Sequence, residues 1–137
     1  MAYEKITRYR EELKKDPGRL SDAVKENGVW RAPIYDQSKV MEEFQSVFYE
    51  GGFADQDYFA TFEKAGVSMN AITPADIAKL DAKALLAVLT FCIRSERFGE
   101  GSLYHHAVSG ILDDCLSALA AIDEKNDSSD EEAPCRT

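Results

Sequence analysis

The residue types most able to do chemistry gather in Arg94-Ser95-Glu96-Arg97-Phe98-Gly99-Glu100-Gly101, with His105 and His106 close behind. Arg94 and Arg97 could hold an anion or a partner carboxylate, with Glu96 or Glu100 orienting them or acting as a base. If Arg94, Glu96, Arg97, Glu100, His105 and His106 converged on a cavity, the chain would be a small enzyme or ligand-binding domain. Capping chemistry explains the same residues without a ligand. Arginines answer the dipole at a helix C-terminus, Arg97 pairs with Glu100 at i,i+3, and the glycines stop the helix. His105 and His106 are adjacent, so on a helix they point about 100° apart and serve one metal ion poorly. One packed and one solvated imidazole is expected, and neither a metal nor a cofactor is assigned.

The three cysteines, Cys92, Cys115 and Cys135, contain no C-x-x-C pair. Cys92 lies in an apolar run, Cys115 follows Asp113 and Asp114, and neither setting favours a thiolate. Free thiols suit a reducing, cytoplasmic compartment. Tyr3, Arg8, Tyr9 and Arg10 interleave aromatic and basic groups as a nucleic-acid-binding helix would. Glu4, Glu11 and Glu12 interrupt that patch, so an ordinary surface helix is the simpler reading. The second candidate site is aromatic and acidic. Phe44, Phe48, Tyr49, Phe53, Tyr58, Phe59 and Phe62 make a core and its rim, and Glu42, Glu43, Glu50, Asp55, Asp57 and Glu63 flank the exposed members. A docking face built from Glu42, Glu43, Tyr49, Glu50, Asp55, Asp57 and Tyr58 follows.

The elements that must position these groups are helices. Ala84 to Ile93 is apolar except for Thr90, rich in Ala and Leu, and followed by glycine stops, which predicts a central helix over about 82–98. Apolar on nearly every side, it should sit in the middle of the fold. Before it, residues 2–15 read as a surface helix ended by Pro17-Gly18, and Arg19 to Glu26 as a short helix closed by Asn27-Gly28. Val29 to Tyr35 reads as an extended arm pinned by Trp30 and Tyr35. Ser38 caps an amphipathic helix carrying Val40, Met41, Phe44, Val47 and Phe48, which Gly51-Gly52 ends. A shorter helix bears Tyr58, Phe59 and Phe62, capped by Asp55 or Asp57. Thr73-Pro74-Ala75-Asp76 is a helix start signal, and Asp81 is placed to cap the central helix. Ser102 to Ser109 and the stretch from Ile111 to Ile122 form the last two helices, with Gly110 between them.

The expected architecture is all-α: a compact single-domain bundle over residues 1–124, with a helix and arm at 1–36, a core at 37–124 and an acidic tail at 125–137. The tail is poor in apolar residues and should be mobile by composition. The leucine-rich stretch from Leu85 into R-x-E-R-F-x-E-G, together with Phe44-x-x-x-Phe48-Tyr49-x-x-Gly52-Phe53, resembles a small bacterial domain family of unknown function over roughly residues 34–122. The resemblance implies a mainly helical bacterial or prophage-type domain with no assigned activity, so no catalytic residue carries over from it.

Charge gives the remaining direction. The 137-residue chain has a net charge of −9. Residues 1–40 hold nine basic against seven acidic groups, residues 41–122 five against twelve, and residues 123–137 two against six. Such a body repels nucleic acid and anionic membranes and is steered to basic protein surfaces. No signal peptide or membrane-spanning run is expected. The favoured function is a non-enzymatic acidic protein-binding module. In its sharpest form it is a prophage or mobile-element inhibitor that blocks the nucleic-acid-binding face of a host defence complex; self-association through the aromatic face is a further expectation.

Overall fold

A computed structural model describes residues 2–132, with side chains described through residue 126. Everything is arranged about the helix α6, Ala82–Ser95, whose Ala84, Leu85, Ala87, Val88, Leu89, Thr90, Cys92 and Ile93 are all buried. Asp81 caps it by accepting the N–H of Ala84 at 2.9 Å. The one polar residue in its interior is satisfied twice: the Thr90 hydroxyl donates to the Leu86 carbonyl and accepts the N–H of Asp55. The helix closes three residues earlier than expected. Arg97 and Phe98 bond back to Arg94 and Ser95 at i−3, a tightened last turn that leads into a loop.

Four helices cover it from the C-terminal part of the chain. Helix α4, Tyr58–Ala65, and α7, Ser102–Val108, pack directly on α6, as does the long α8, Ile111–Glu132, against which the short α5, Pro74–Ala78, also lies. A reciprocal capping box starts α5, with Thr73 and Asp76 each accepting the other's backbone N–H. Helix α8 does not stop where the tail was expected to begin, at residue 125: its helical backbone continues to Glu132. Residues 133–137, with Cys135, lie outside the described residues.

The N-terminal segment is two helices where one was expected, α1, Glu4–Thr7, and α2, Arg10–Lys15. The Tyr9 N–H bonds to the Ile6 carbonyl at i−3, and ψ at Tyr9 is −5°, well away from the α-helical value. At that tightened turn the Tyr9 ring lies in the core, edge-on to Phe44 at 6.0 Å. Helix α3, Lys39–Glu50, packs on both α1 and α2, with Met41, Phe44 and Phe48 fully buried and Ser38 capping the Met41 N–H at 3.1 Å.

The fold is mostly helical and not purely all-α, because the expected helix at Arg19–Glu26 is extended. Strand β1, Arg19–Leu20, pairs antiparallel with β4, Tyr35–Asp36, and β2, Val24–Glu26, pairs with β3, Val29–Arg31. The reason is local. Asn27 and Gly28 both adopt positive φ, 52° and 79°, the two-residue hairpin turn whose twist matches paired strands. Residues 19–26 offer only Leu20, Ala23 and Val24 at helical spacing, one short apolar turn that is too little to offset the cost of nucleating a helix. Only the base of this arm touches the body. Trp30, expected to pin it, is 69 % exposed, with the Lys25 ammonium 6.0 Å from its ring centre. The anchor is Tyr35, whose hydroxyl donates to the Pro17 carbonyl and whose ring meets Tyr104 edge-on at 5.7 Å.

One long-range contact ties the chain's two ends. Helix α1 has no side-chain cap of its own. Instead Asp123 of α8, 5 % exposed, accepts the backbone N–H of Ala2 and of Tyr3, each at 2.9 Å. A second tie is the Arg10 guanidinium on Asp113 at 3.0 Å, with the Lys14 ammonium at 3.7 Å. Asp123→Ala removes both acceptors and strands two N–H groups, so it is expected to cost about 1–3 kcal/mol in urea unfolding. Glu124→Ala, at the exposed neighbouring position, should stay within about 0.5 kcal/mol of the parent. Equal effects from the two would show that the carboxylate clamp is not what holds the N-terminus.

Candidate functional site

Helix α3 presents the clearer of the two candidate sites. At 100° per residue its buried side is Met41, Phe44 and Phe48, and the opposite side carries Glu42, Glu43, Tyr49 and Glu50 with Lys39 and Ser46 among them, all exposed. The helix cannot roll to hide them, because its inner aromatics are locked: Phe44 lies 6.1 Å from Phe48, and Phe48 lies 6.2 Å from Phe53. Tyr49 is 40 % exposed and stands perpendicular to Phe48.

The other members expected on this face belong elsewhere. Asp55 is committed to structure, accepting the Asp57 N–H at 2.9 Å and the Thr61 hydroxyl. Asp57 is exposed at the start of α4. Tyr58 sits in an aromatic cluster with Phe59, Phe62 and Phe91. Helix α4 packs on α6 while α3 packs on α1 and α2, so the residues expected on one docking face are carried by differently packed helices.

The polar string after α6 does not form a converging pocket. Glu96 turns back to cap α7, accepting the N–H of Gly101 at 2.8 Å and of Leu103 at 3.0 Å. Glu100 reaches the arm and accepts the Tyr35 N–H at 2.6 Å. Among the described residues neither pairs with an arginine, so the expected Arg97–Glu100 bridge is absent there. Arg94 lies over the Tyr58 ring, 6.0 Å from its centre, and its Nε is buried without an acceptor. Arg97 is exposed. His106 is half-buried, edge-on to Phe91 at 6.2 Å, and His105 is exposed, as the packed-and-solvated expectation has it. Burial lowers the His106 imidazole below the ordinary histidine value, and His105 lowers it further.

The glutamates therefore act as latches that hold the loop 96–101 against both α7 and the arm. Gly101 completes the latch at φ +87°, where an added Cβ would stand 2.7 Å from the Leu20 Cδ1. Sequence reasoning named these residues but not their partners, since Tyr35 is 65 positions from Glu100. It also missed Phe98 and Phe59 as surface groups. They are 86 % and 66 % exposed and flank a groove of about 330 Å³ lined by Tyr58 and Phe91.

The cysteines behave as core. Burial pushes the Cys115 thiol up to about 12, with Asp114 adding to the shift, and raises Cys92 as well. Tyr9 is buried, which removes it as a base-stacking platform on the first helix.

The model of a family of unknown function, DUF6508, matches residues 4–125. The chain belongs to DUF6508. The match begins further upstream than the resemblance at 34–122 implied, and it takes in α1, α2 and the hairpin arm. No curated protein and no solved structure matches the chain. Among the described residues of this DUF6508 chain, no helix is long and apolar enough to cross a membrane.

Two measurements follow from the latch and its neighbour. Gly101→Ala forces a side chain into a left-handed backbone against Leu20 and is expected to destabilise the chain by about 1–2 kcal/mol. An unchanged urea midpoint would contradict it. For His106 the unfolded chain binds the proton more readily, so stability rises with pH. Its contribution is complete above the ordinary imidazole value and is lost as pH falls below it. His106→Gln should show a smaller drop in urea midpoint between pH of about 7.5 and about 5 than the parent. Identical drops would mean that His106 carries none of the dependence.

Proposed function

We propose that this DUF6508 chain is a non-enzymatic protein-binding module whose acidic α3 face engages a basic surface on a partner. The observation that carries the reading is the outward projection of Glu42, Glu43, Tyr49 and Glu50 from a helix whose inner side is fixed in the core. Exposed carboxylates on a rigid element contribute to steering and register, and an exposed tyrosine among them supplies contact area at little entropic cost. The excess of seven negative charges over residues 41–122 adds a long-range field of the same sign. Placed against a basic nucleic-acid-binding face, these carboxylates would stand where phosphates lie. That supports occlusion of such a face in a reducing, cytoplasmic compartment as the form of action, with inhibition of a host defence complex by a prophage-borne protein as its sharpest version.

The polar string at 94–106 offers less. An enzyme or ligand-binding reading needs Arg94, Glu96, Arg97, Glu100, His105 and His106 to share a cavity, whereas both glutamates are occupied by backbone N–H groups.

The test is capture of partners on the immobilised chain at low and at moderate salt, beside a Glu42→Lys, Glu43→Lys, Glu50→Lys variant. A basic protein that elutes as salt rises is expected from the parent. The variant should bind it at least about tenfold more weakly, given the usual size of charge effects at an interface. The captured partner should also fail to bind duplex DNA while the chain is attached. Retention of full affinity by the triple variant would sink the α3 reading.

A further inference from the structure

The outer face of α8 plays no part in the α3 reading and is argued independently of it. It forms one wall of a groove of about 410 Å³ whose other wall is Pro74 and Ala78 of α5, with Leu80 beyond them. From α8 the groove takes Asp114, Ser117, Ala118, Ala121, Ile122 and Lys125, each at least partly exposed. Asp114, Ala118, Ala121 and Lys125 recur at intervals of four, three and four residues, the spacing of a helix–helix seam.

The charged members of the lining are Asp114 and Lys125, one at each end of the seam. At 1.5 Å per residue they stand about 16 Å apart along the helix, too far to pair within one chain. The charges nearby are engaged or turned away. Asp113 holds Arg10 and Lys14, Asp123 accepts the N–H of Ala2 and of Tyr3, and Asp76 and Lys79 line a separate hollow. Glu124 points about 100° round the helix from Lys125. Partial burial raises the Asp114 carboxyl above its ordinary value, and Asp113 raises it further. Among the described residues no cation lies within ion-pair distance of Asp114, so a cation brought opposite would stabilise its carboxylate.

We infer that this face of α8 packs antiparallel on the same face of a second copy, about a two-fold axis that crosses the helix midway between Leu119 and Ala120. The register follows from the lining itself. An axis at that level sets Ala118 beside Ala121 of the other copy, Ser117 level with Ile122, and Asp114 against Lys125. Each α8 residue of the groove thus meets another residue of the groove, and the two ends of the seam carry the same Asp–Lys pair. Charge selects both the occupant and its direction. A parallel pair would set Asp114 on Asp114 and Lys125 on Lys125, and a helix carrying one sign of charge would be opposed at one end. An antiparallel second copy brings the complement to both ends at once. Between them Ala118 and Ala121 leave no bulky side chain to hold the helices apart, and Ile122 adds apolar area to the contact.

Sedimentation velocity of the full chain from micromolar to millimolar concentration tests the inference, at moderate salt so that the net charge of −9 on each copy is screened. A concentration-dependent shift from monomer to dimer mass is expected. Asp114→Lys should weaken association at least about tenfold by setting lysine against lysine, even though it lowers the net negative charge. Glu124→Lys makes the same change in net charge away from the seam and should not weaken it. Lys125→Asp, at an exposed position, repeats the test from the other end should Asp114→Lys lose its helical circular dichroism. The double variant D114K/K125D should restore the dimer, which requires positions 114 and 125 to meet across copies. A chain that stays monomeric throughout overturns the inference. So does a dimer that survives the single charge reversals, one that Glu124→Lys weakens equally, or one that the folded double variant fails to rescue. None of these results bears on the α3 face, which its own variant tests.

Discussion

The constraint on which the rest of the structure depends is that α6 is apolar on nearly every side. A helix of this kind cannot lie at a surface, because each exposed face would leave Leu, Val or Ile in water at about 25 cal/mol for every Å². The amphipathic faces of α4, α7 and α8 meet it, and an outer layer follows in which α1, α2 and α5 pack on α8 and α3 packs on α1 and α2. Even the polar Thr90 obeys the constraint, using its hydroxyl once on the Leu86 carbonyl and once on the Asp55 N–H. The same burial fixes the thiols of Cys92 and Cys115 as neutral, unreactive packing groups.

A helix enclosed in this way must hand the chain back to the surface at its end, and here the structure spends its glutamates. Glu96 supplies the acceptor that the N-terminus of α7 lacks, since Gly101 carries no side chain to cap it. Glu100 extends the same loop to the hairpin arm through Tyr35. Two carboxylates that could have served an active site thus accept backbone N–H groups instead, while Arg94 lies over the Tyr58 ring and Arg97 is exposed. The Asp123 clamp works by the same physics at the other end of the molecule, a carboxylate from one helix answering the orphan N–H groups of another.

The division of the surface follows from which helices pack together. Because α3 rests on α1 and α2 while α4 rests on α6, the acidic face and the aromatic groove are carried by different helices. A contact made through the α3 carboxylates, as proposed, would be steered by charge and weakened by salt. The groove lined by Tyr58, Phe59, Phe91 and Phe98 is instead an apolar surface, with Phe59 and Phe98 left in water.

Much was legible in the sequence, and for a common reason: the signals are local. Ser38, Thr73-Pro74-x-Asp76 and Asp81 cap the helices they precede, and the periodicity of Met41, Phe44 and Phe48 marks the inner side of α3, because capping and periodicity act over three or four residues. The Asn27-Gly28 signal was equally local but has two meanings, a helix stop or a hairpin turn; strand pairing between Val24–Glu26 and Val29–Arg31 selected the second. What the tertiary structure alone decided are contacts between residues far apart in sequence: Glu100 on Tyr35, Asp123 on Ala2 and Tyr3, Leu20 on Gly101, and Trp30 left in water while Tyr35 anchors the arm. A residue's type states which bonds it is able to make, but which partner completes them depends on how the helices cover α6, and no spacing along the chain encodes that.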